Sequence, residues 1–325
     1  MKKLGLLLLL AISAAAQPAN PAPATEPADQ ANSQATVATN ASIPTERVQT
    51  PTYADLYCAG FISKNVLPDA NFVAGGLHTP NTTKFVNGDI VYLAGSGYQS
   101  GAQYTILRET QDPNKYEVYA GQHAAVAAAG QPYSEVGRVR VVDTRSKEAV
   151  AQVEFSCDTI SPGDIAVPFA EKPAVSFHSP LRFDRFAPPN GKLTGRIVLA
   201  KDFDTVMGTG MKVYMNVGSN QGVKIGDYFR TVRSYDADLK DPVDSLSFRA
   251  STTEDTQKKS PRVEPNLMNM TYGKGPTIRV RDMPRRAIGE VVVIGITPTT
   301  ATGMIVFTLE DVHVGDGVEL DEQQQ

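Results

Sequence analysis

Tryptophan is absent from the 325 residues, cysteine occurs twice and histidine four times. Each shortage removes a class of function. His78, His123, His178 and His313 share no His-x-x-x-His or similar ligand spacing, and two cysteines cannot complete a zinc motif, so no metal and no cofactor are expected. Without tryptophan, a carbohydrate platform would have to be built from tyrosine. No stretch approaches the roughly 18 consecutive apolar residues that cross a bilayer as a helix, so no transmembrane helix is expected. Lys and Arg, at 31, are outnumbered by 35 Asp and Glu, and a net charge of -4 argues against general nucleic-acid binding. Gly95-Ser96-Gly97 lacks the Gly-x-Ser-x-Gly spacing of a hydrolase elbow, and no other constellation names a reaction, so no catalytic residues and no enzyme activity are expected.

The chain starts with Lys2 and Lys3, an apolar run from Leu4 to Ile12, and Ser13-Ala14-Ala15-Ala16, the pattern of a secretory signal peptide over 1–16. Its removal leaves 29 basic residues against 35 acidic ones, a charge of -6. The protein is therefore expected in the periplasm or cell envelope, an oxidising compartment that permits a disulfide. Residues 17–50 are Ala, Pro, Thr, Asn and Gln with almost no large apolar side chain, too few to offset the entropy of ordering, and read as a disordered tether.

What the remainder does contain is a duplication. Residues 136–168 and 288–320 overlay without a gap at an offset of 152, matching Gly137, Val139, Val141, Ala149, Phe155, Gly163 and Asp164 with Gly289, Val291, Val293, Ala301, Phe307, Gly315 and Asp316. The spacing predicts two modules, 51–172 and 190–321, separated by a Pro- and Phe-rich linker at 173–189. Each is expected to open with a strand after a glycine, at Gly60-Phe61-Ile62 and at Gly195-Arg196-Ile197-Val198. Further strands follow through Val91-Tyr92-Leu93 or Val213-Tyr214-Met215, then a glycine turn, a strand ending at Arg108 or Arg233, a variable loop (109–135 or 234–287) and three β-branched strands. Only Ala124–Ala129 hints at a helical turn. The class is all-β, two tandem small SH3-like β-barrels. A Gly-Asp pair recurs at 88–89, 163–164, 226–227 and 315–316, read as tight turns in which glycine takes positive φ and aspartate bonds backbone amides.

The stretch from Val213 to Asp227, with Ile288-Gly289-Glu290-Val291 and Val314-Gly315-Asp316, resembles the C-terminal SH3-like domain of the flagellar assembly protein T, a module also found with LysM peptidoglycan-binding domains in exported proteins. The likeness is closer over 190–321 than over 51–169, where Gly95–Gly101 is two residues shorter and no aspartate follows Gly101. The resemblance implies an envelope barrel with a scaffolding or wall-associated role and carries no catalytic residues; the other domains of that protein and a LysM repeat are not visible in the chain.

Cys58 and Cys157 align with Leu193 and Leu309 of the second copy, which suggests two neighbouring core positions bridged by a disulfide in module 1; two buried thiols are the alternative. In the long loop of module 2, Lys274, Arg279, Arg281, Arg285 and Arg286 follow Met268, Met270 and Tyr272 and form a partner-binding candidate for anionic wall polymer, lipid headgroups or an acidic partner, with a solvated strand face as the bland reading. These features point to a non-catalytic, exported cell-envelope scaffold or adaptor that binds an envelope protein or peptidoglycan through its long loops. The alternative is a carbohydrate-binding or carbohydrate-active protein with a site in the inter-module cleft, with Tyr98, Tyr116, Tyr119 and Tyr133 as stacking candidates.

Overall fold

The offset of 152 residues holds in the backbone, bulge for bulge. In the computed structural model, strand β5 (Gln131–Asp143) pairs with β6 (Ala149–Ser156) through Gly137↔Ser156, Val139↔Val153 and Val141↔Ala151. Strand β14 (Arg286–Ile296) pairs with β15 (Ala301–Thr308) through Gly289↔Thr308, Val291↔Ile305 and Val293↔Gly303. The register shifts fall at Arg138/Val139 and Val141/Asp143 in one copy and at Glu290/Val291 and Val293/Gly295 in the other. The structure describes residues 49–180, 182–234, 256–259, 261–264, 274–279 and 282–321. The expected signal peptide and nearly all of the expected tether lie outside them.

Both copies close into six-stranded antiparallel barrels of the same topology. In module 1 the ring runs β5, β4 (Gln103–Glu109), β7 (Ile165–Pro168), β2 (Phe72–Gly76), β3 (Ile90–Ala94) and β6, and the β5–β6 ladder closes it. In module 2 it runs β14, β11 (Tyr228–Arg233), β17 (Gly317–Asp321), β8 (Thr194–Ala200), β10 (Lys212–Met215) and β15. Closure leaves no open sheet edge, and period-two alternation supplies the filling. Val73, Leu93, Ile106, Val139 and Val153 fill the first barrel, and Ile197, Met215, Phe229, Val291 and Ile305 the second. Outside the rings, β9 (Val206–Met207) pairs with β16 (Val312–His313), and β12 (Arg262–Glu264) pairs in parallel with β13 (Thr277–Arg279) in the long loop.

The repeated Gly-Asp pairs are the expected turns. At Gly163 (φ 91°) and Gly315 (φ 105°) the chain needs a left-handed residue, which only glycine adopts without strain. The following aspartate folds back, Asp164 Oδ2 accepting from Ser161 N at 2.7 Å and Asp316 Oδ2 from His313 N at 2.6 Å. Each carboxylate is also forked by an arginine at the matching ladder position. Arg108 donates Nε and Nη2 to Asp164 at 2.9 Å each, and Arg233 donates the same pair to Asp316 at 2.7 Å each.

The first strand of module 1 differs from the expected one. The counterpart of β8 is β2: Val73 exchanges backbone bonds with Gly163 and Asp164 as Ile197 does with Gly315 and Asp316. Gly60-Phe61-Ile62 instead belongs to an arm ahead of the barrel. It comprises a short helix α1 (Tyr53–Tyr57), capped by Thr52 and Asp55, and a strand β1 (Phe61–Ser63) added outside β5. The stretch expected as a linker plays a similar part for module 2. Ala287 N donates to the Arg185 carbonyl at 2.7 Å, Phe183 packs on Phe307, and Val175 and Phe177 are buried on Val292, Ile294, Met304 and Val306. This covering explains why β14 is apolar on both faces.

The described residues form one compact unit. The arm of module 1 joins the barrels: the carbonyls of Ala59, Gly60 and Ile62 accept from the hydroxyls of Tyr214 (2.8 Å), Thr302 (3.0 Å) and Thr300 (2.6 Å). Gly60 is required there, since a Cβ would lie 2.5 Å from Tyr214 Oη. Helix α2 (Gln122–Ala129), longer than the expected turn, seals the junction by packing Ala125, Val126 and Ala129, with Ile62, against Val198, Leu199 and Tyr214.

Candidate functional site

Beside this junction lies a pocket of about 420 Å³ with walls from both modules. Ala54, Asp55 and Cys58 come from α1, Phe155, Ser156 and Cys157 from the end of β6, and Lys201, Asp202, Asp204, Gly210, Met211 and Lys212 from module 2. The Cys58–Cys157 disulfide forms part of the lining and fixes α1 to β6. A five-residue helix is too short to persist in water alone, so this bridge and its aromatic contacts hold it in place. Tyr53 meets Phe155 edge-on at 4.9 Å, and the Arg138 guanidinium lies over Tyr53 at 5.4 Å and over Phe169 at 4.8 Å.

Two ion pairs order the polar wall, Lys212 with Asp55 across the junction and Lys201 with Asp202 along the turn. Asp202 (φ 60°) and Phe203 (φ 62°) are the only non-glycine residues at positive φ among those described. Each costs on the order of 1–3 kcal/mol and persists only where its surroundings fix it. Here the adjoining strands β8 and β10 do so, with Phe203 packed on the junction cluster. With Asp55, Asp202 and Asp204 against Lys201 and Lys212, the wall is mildly acidic. Neither a histidine nor a free thiol lines it, and among the described residues no three His, Cys, Asp or Glu side chains gather into a metal-binding group.

Burial draws the Asp55 pKa upward, but the Lys212 ammonium and the Thr52 hydroxyl and amide outweigh it and hold the carboxyl below 3.8. A carboxylate whose folded pKa lies below its unfolded one stabilises the fold above the unfolded value and loses that contribution as the pH falls through the folded one. The denaturation midpoint of the wild type should therefore exceed that of Asp55→Asn at neutral pH, and the gap should close as the pH drops below 3.8. A gap that stayed constant into strong acid would count against the pair.

The structure disperses the other candidates. Arg285 donates to Glu319 at 2.8 Å and Arg286 to Glu310 at 2.9 Å, so both serve internal ion pairs, while Lys274 and Arg279 lie exposed on the long-loop excursion. Arg281, Met268, Met270 and Tyr272 lie outside the described residues. Of the four tyrosines, Tyr133 is buried against Phe61 and Tyr119 packs on the second barrel under Arg196. Tyr98 abuts Tyr104 at the first barrel, and Tyr116 is fully open; none lines the pocket. The cysteines pair as expected; of the leucines aligned with them, Leu193 packs against the core of the second barrel while Leu309 is 47% exposed.

No protein-family model and no curated protein matches the chain. The stretch from Val213 to Asp227 forms two turns, Gly218–Gly222, where Gln221 caps the Gly218 amide at 2.9 Å, and Lys224–Asp227, where Asp227 accepts from the Lys224 amide.

Proposed function

We propose that the protein is a non-catalytic, exported scaffold or adaptor of the cell envelope, in which two barrels act as one rigid strut and the long loop of module 2 meets its partner. One observation carries this reading: the arm of module 1 is hydrogen-bonded into module 2 through Tyr214, Thr300 and Thr302, so two copies of a module are spent on stiffness instead of on a shared cleft lined by aromatics. The leader-like N-terminus and the disulfide fit an oxidising compartment. The wall or an anionic envelope protein is the partner class, met by Lys274 and Arg279.

Purified peptidoglycan provides the test. The exported chain should sediment with it, and Lys274→Glu with Arg279→Glu should weaken binding about tenfold, as expected for a loss of roughly 1.4 kcal/mol. Unchanged sedimentation of the double variant would remove the loop from the interface.

A further inference from the structure

The bridge between Cys58 and Cys157 is placed where a reagent can reach it. Both cysteines are half-buried and both line the pocket, whose volume of about 420 Å³ falls within the roughly 300–1,000 Å³ of small-molecule sites. Ala54, Asp202, Asp204 and Gly210 of the same lining are exposed, so the pocket opens to water. Bridges that solvent can reach are the ones that exchange readily with thiols.

What the bridge holds is also the part of the molecule most easily let go. Helix α1 has five residues and buries none of them, and Cys58 is its C-terminal cap. Cys157 lies one residue beyond β6, and its amide bonds the Val136 carbonyl at 2.9 Å whether or not the sulfur is bridged. Opening the bridge therefore frees a short helix and breaks no strand pairing. The pocket wall also sets the charge of what enters. Lys212 is paired with Asp55 and Lys201 with Asp202, while Asp204 has no partner among the described residues, which leaves one net negative charge on the lining.

We infer that the pocket is an entry port for a small thiol, neutral or cationic, which reduces the Cys58–Cys157 bridge in the folded protein and releases α1. A thiolate in the pocket bonds to one cysteine sulfur and expels the other as a thiolate, which takes a proton from water. A second thiol then bonds to the sulfur of the first and expels the remaining cysteine. Two reductant thiols are thereby oxidised to one disulfide, and Cys58 and Cys157 each gain a hydrogen. Release of α1 parts Asp55 from Lys212, so the reaction loosens the junction at the pocket. This inference is independent of the envelope role proposed above.

Reduction of the full exported chain under native conditions tests it, with acid quenching, alkylation and mass measurement counting the freed thiols. The rate with dithiothreitol should rise in proportion to its concentration over about a hundredfold range, since nothing has to open first. It should not climb in about 1 M urea, where a route through unfolding would speed up. Charge provides the second arm. Relative to their rates with a free small disulfide, cysteamine should attack the bridge faster than mercaptoethanesulfonate. Asp204→Lys should reverse that order, moving the ratio of the two rates about fivefold. Asp204 is exposed and unpaired, so this variant folds as the wild type does. A rate that levels off with thiol, or that climbs with urea, shows attack waiting on unfolding and overturns the inference. A ratio unmoved by Asp204→Lys places the attack outside the pocket and overturns it as well.

Discussion

Arg233→Ala is expected to destabilise the protein by about 3–5 kcal/mol, the cost of removing one partner from a buried ion pair. The Arg233 and Asp316 side chains are only 7% and 3% exposed, so the alanine variant leaves a carboxylate with no cation and little water. Arg233 Nη2 also donates to the Asp311 carbonyl at 2.8 Å, which loses its donor as well. Against total stabilities of roughly 5–15 kcal/mol for ordinary domains, a change of this size shifts the denaturant midpoint far.

Module 1 supplies an internal control. Arg108 makes the same fork to Asp164 and donates to the Thr159 carbonyl at 2.6 Å, but its side chain is 26% exposed. Asp164 is itself only 5% exposed, but removing the more open arginine lets water in to the carboxylate, so Arg108→Ala should cost clearly less than Arg233→Ala. Replacing both partners in module 2, Arg233→Met with Asp316→Leu, should recover only part of the loss, since the His313 amide that Asp316 accepted from is then orphaned. Equal costs for the two alanine variants in urea titrations would refute burial as the cause.

Much of the barrel architecture was legible because a barrel is written in short-range signals. Alternation, β-branched runs and Gly-Asp turns survive duplication, and the 152-residue offset carried the register of β14 and β15 directly. The arms were not legible. Cys58–Ile62, Val175 and Phe177 have no period of their own, and their burial comes from partners far along the chain, such as Tyr214 and Met304. In sequence, Arg285 and Arg286 look like the other basic residues of the long loop. The partners that hold them, Glu319 and Glu310, stand 34 and 24 residues away. The left-handed Asp202 and Phe203 are neither glycine nor asparagine, so nothing local marks the turn that brings Asp202 to the pocket wall.

Loss of the disulfide, in Cys58→Ser with Cys157→Ser, is expected to cost about 4–5 kcal/mol in the chain-entropy model, because the bridge closes a loop of 99 positions. The effect should also be directional. α1 is anchored by the bridge, by Tyr53 and Tyr57 on Phe155 and Phe169, and by Lys172, whose Nζ donates to the Leu56 carbonyl at 2.6 Å. Without the covalent anchor, fraying of α1 withdraws Asp55 from Lys212 and removes one wall of the pocket. Hydrogen exchange should accordingly rise first at residues 53–58 and 201–212, while β14 and β15, buried on both faces, keep their protection. The part of the arm beyond α1, from Ala59 to Ile62, should hold longer, since Tyr214, Thr302 and Thr300 grip its carbonyls independently of the bridge. Exchange that rose uniformly over both barrels, or only inside module 1 with the 201–212 turn untouched, would show that the bridge does not couple the modules through α1.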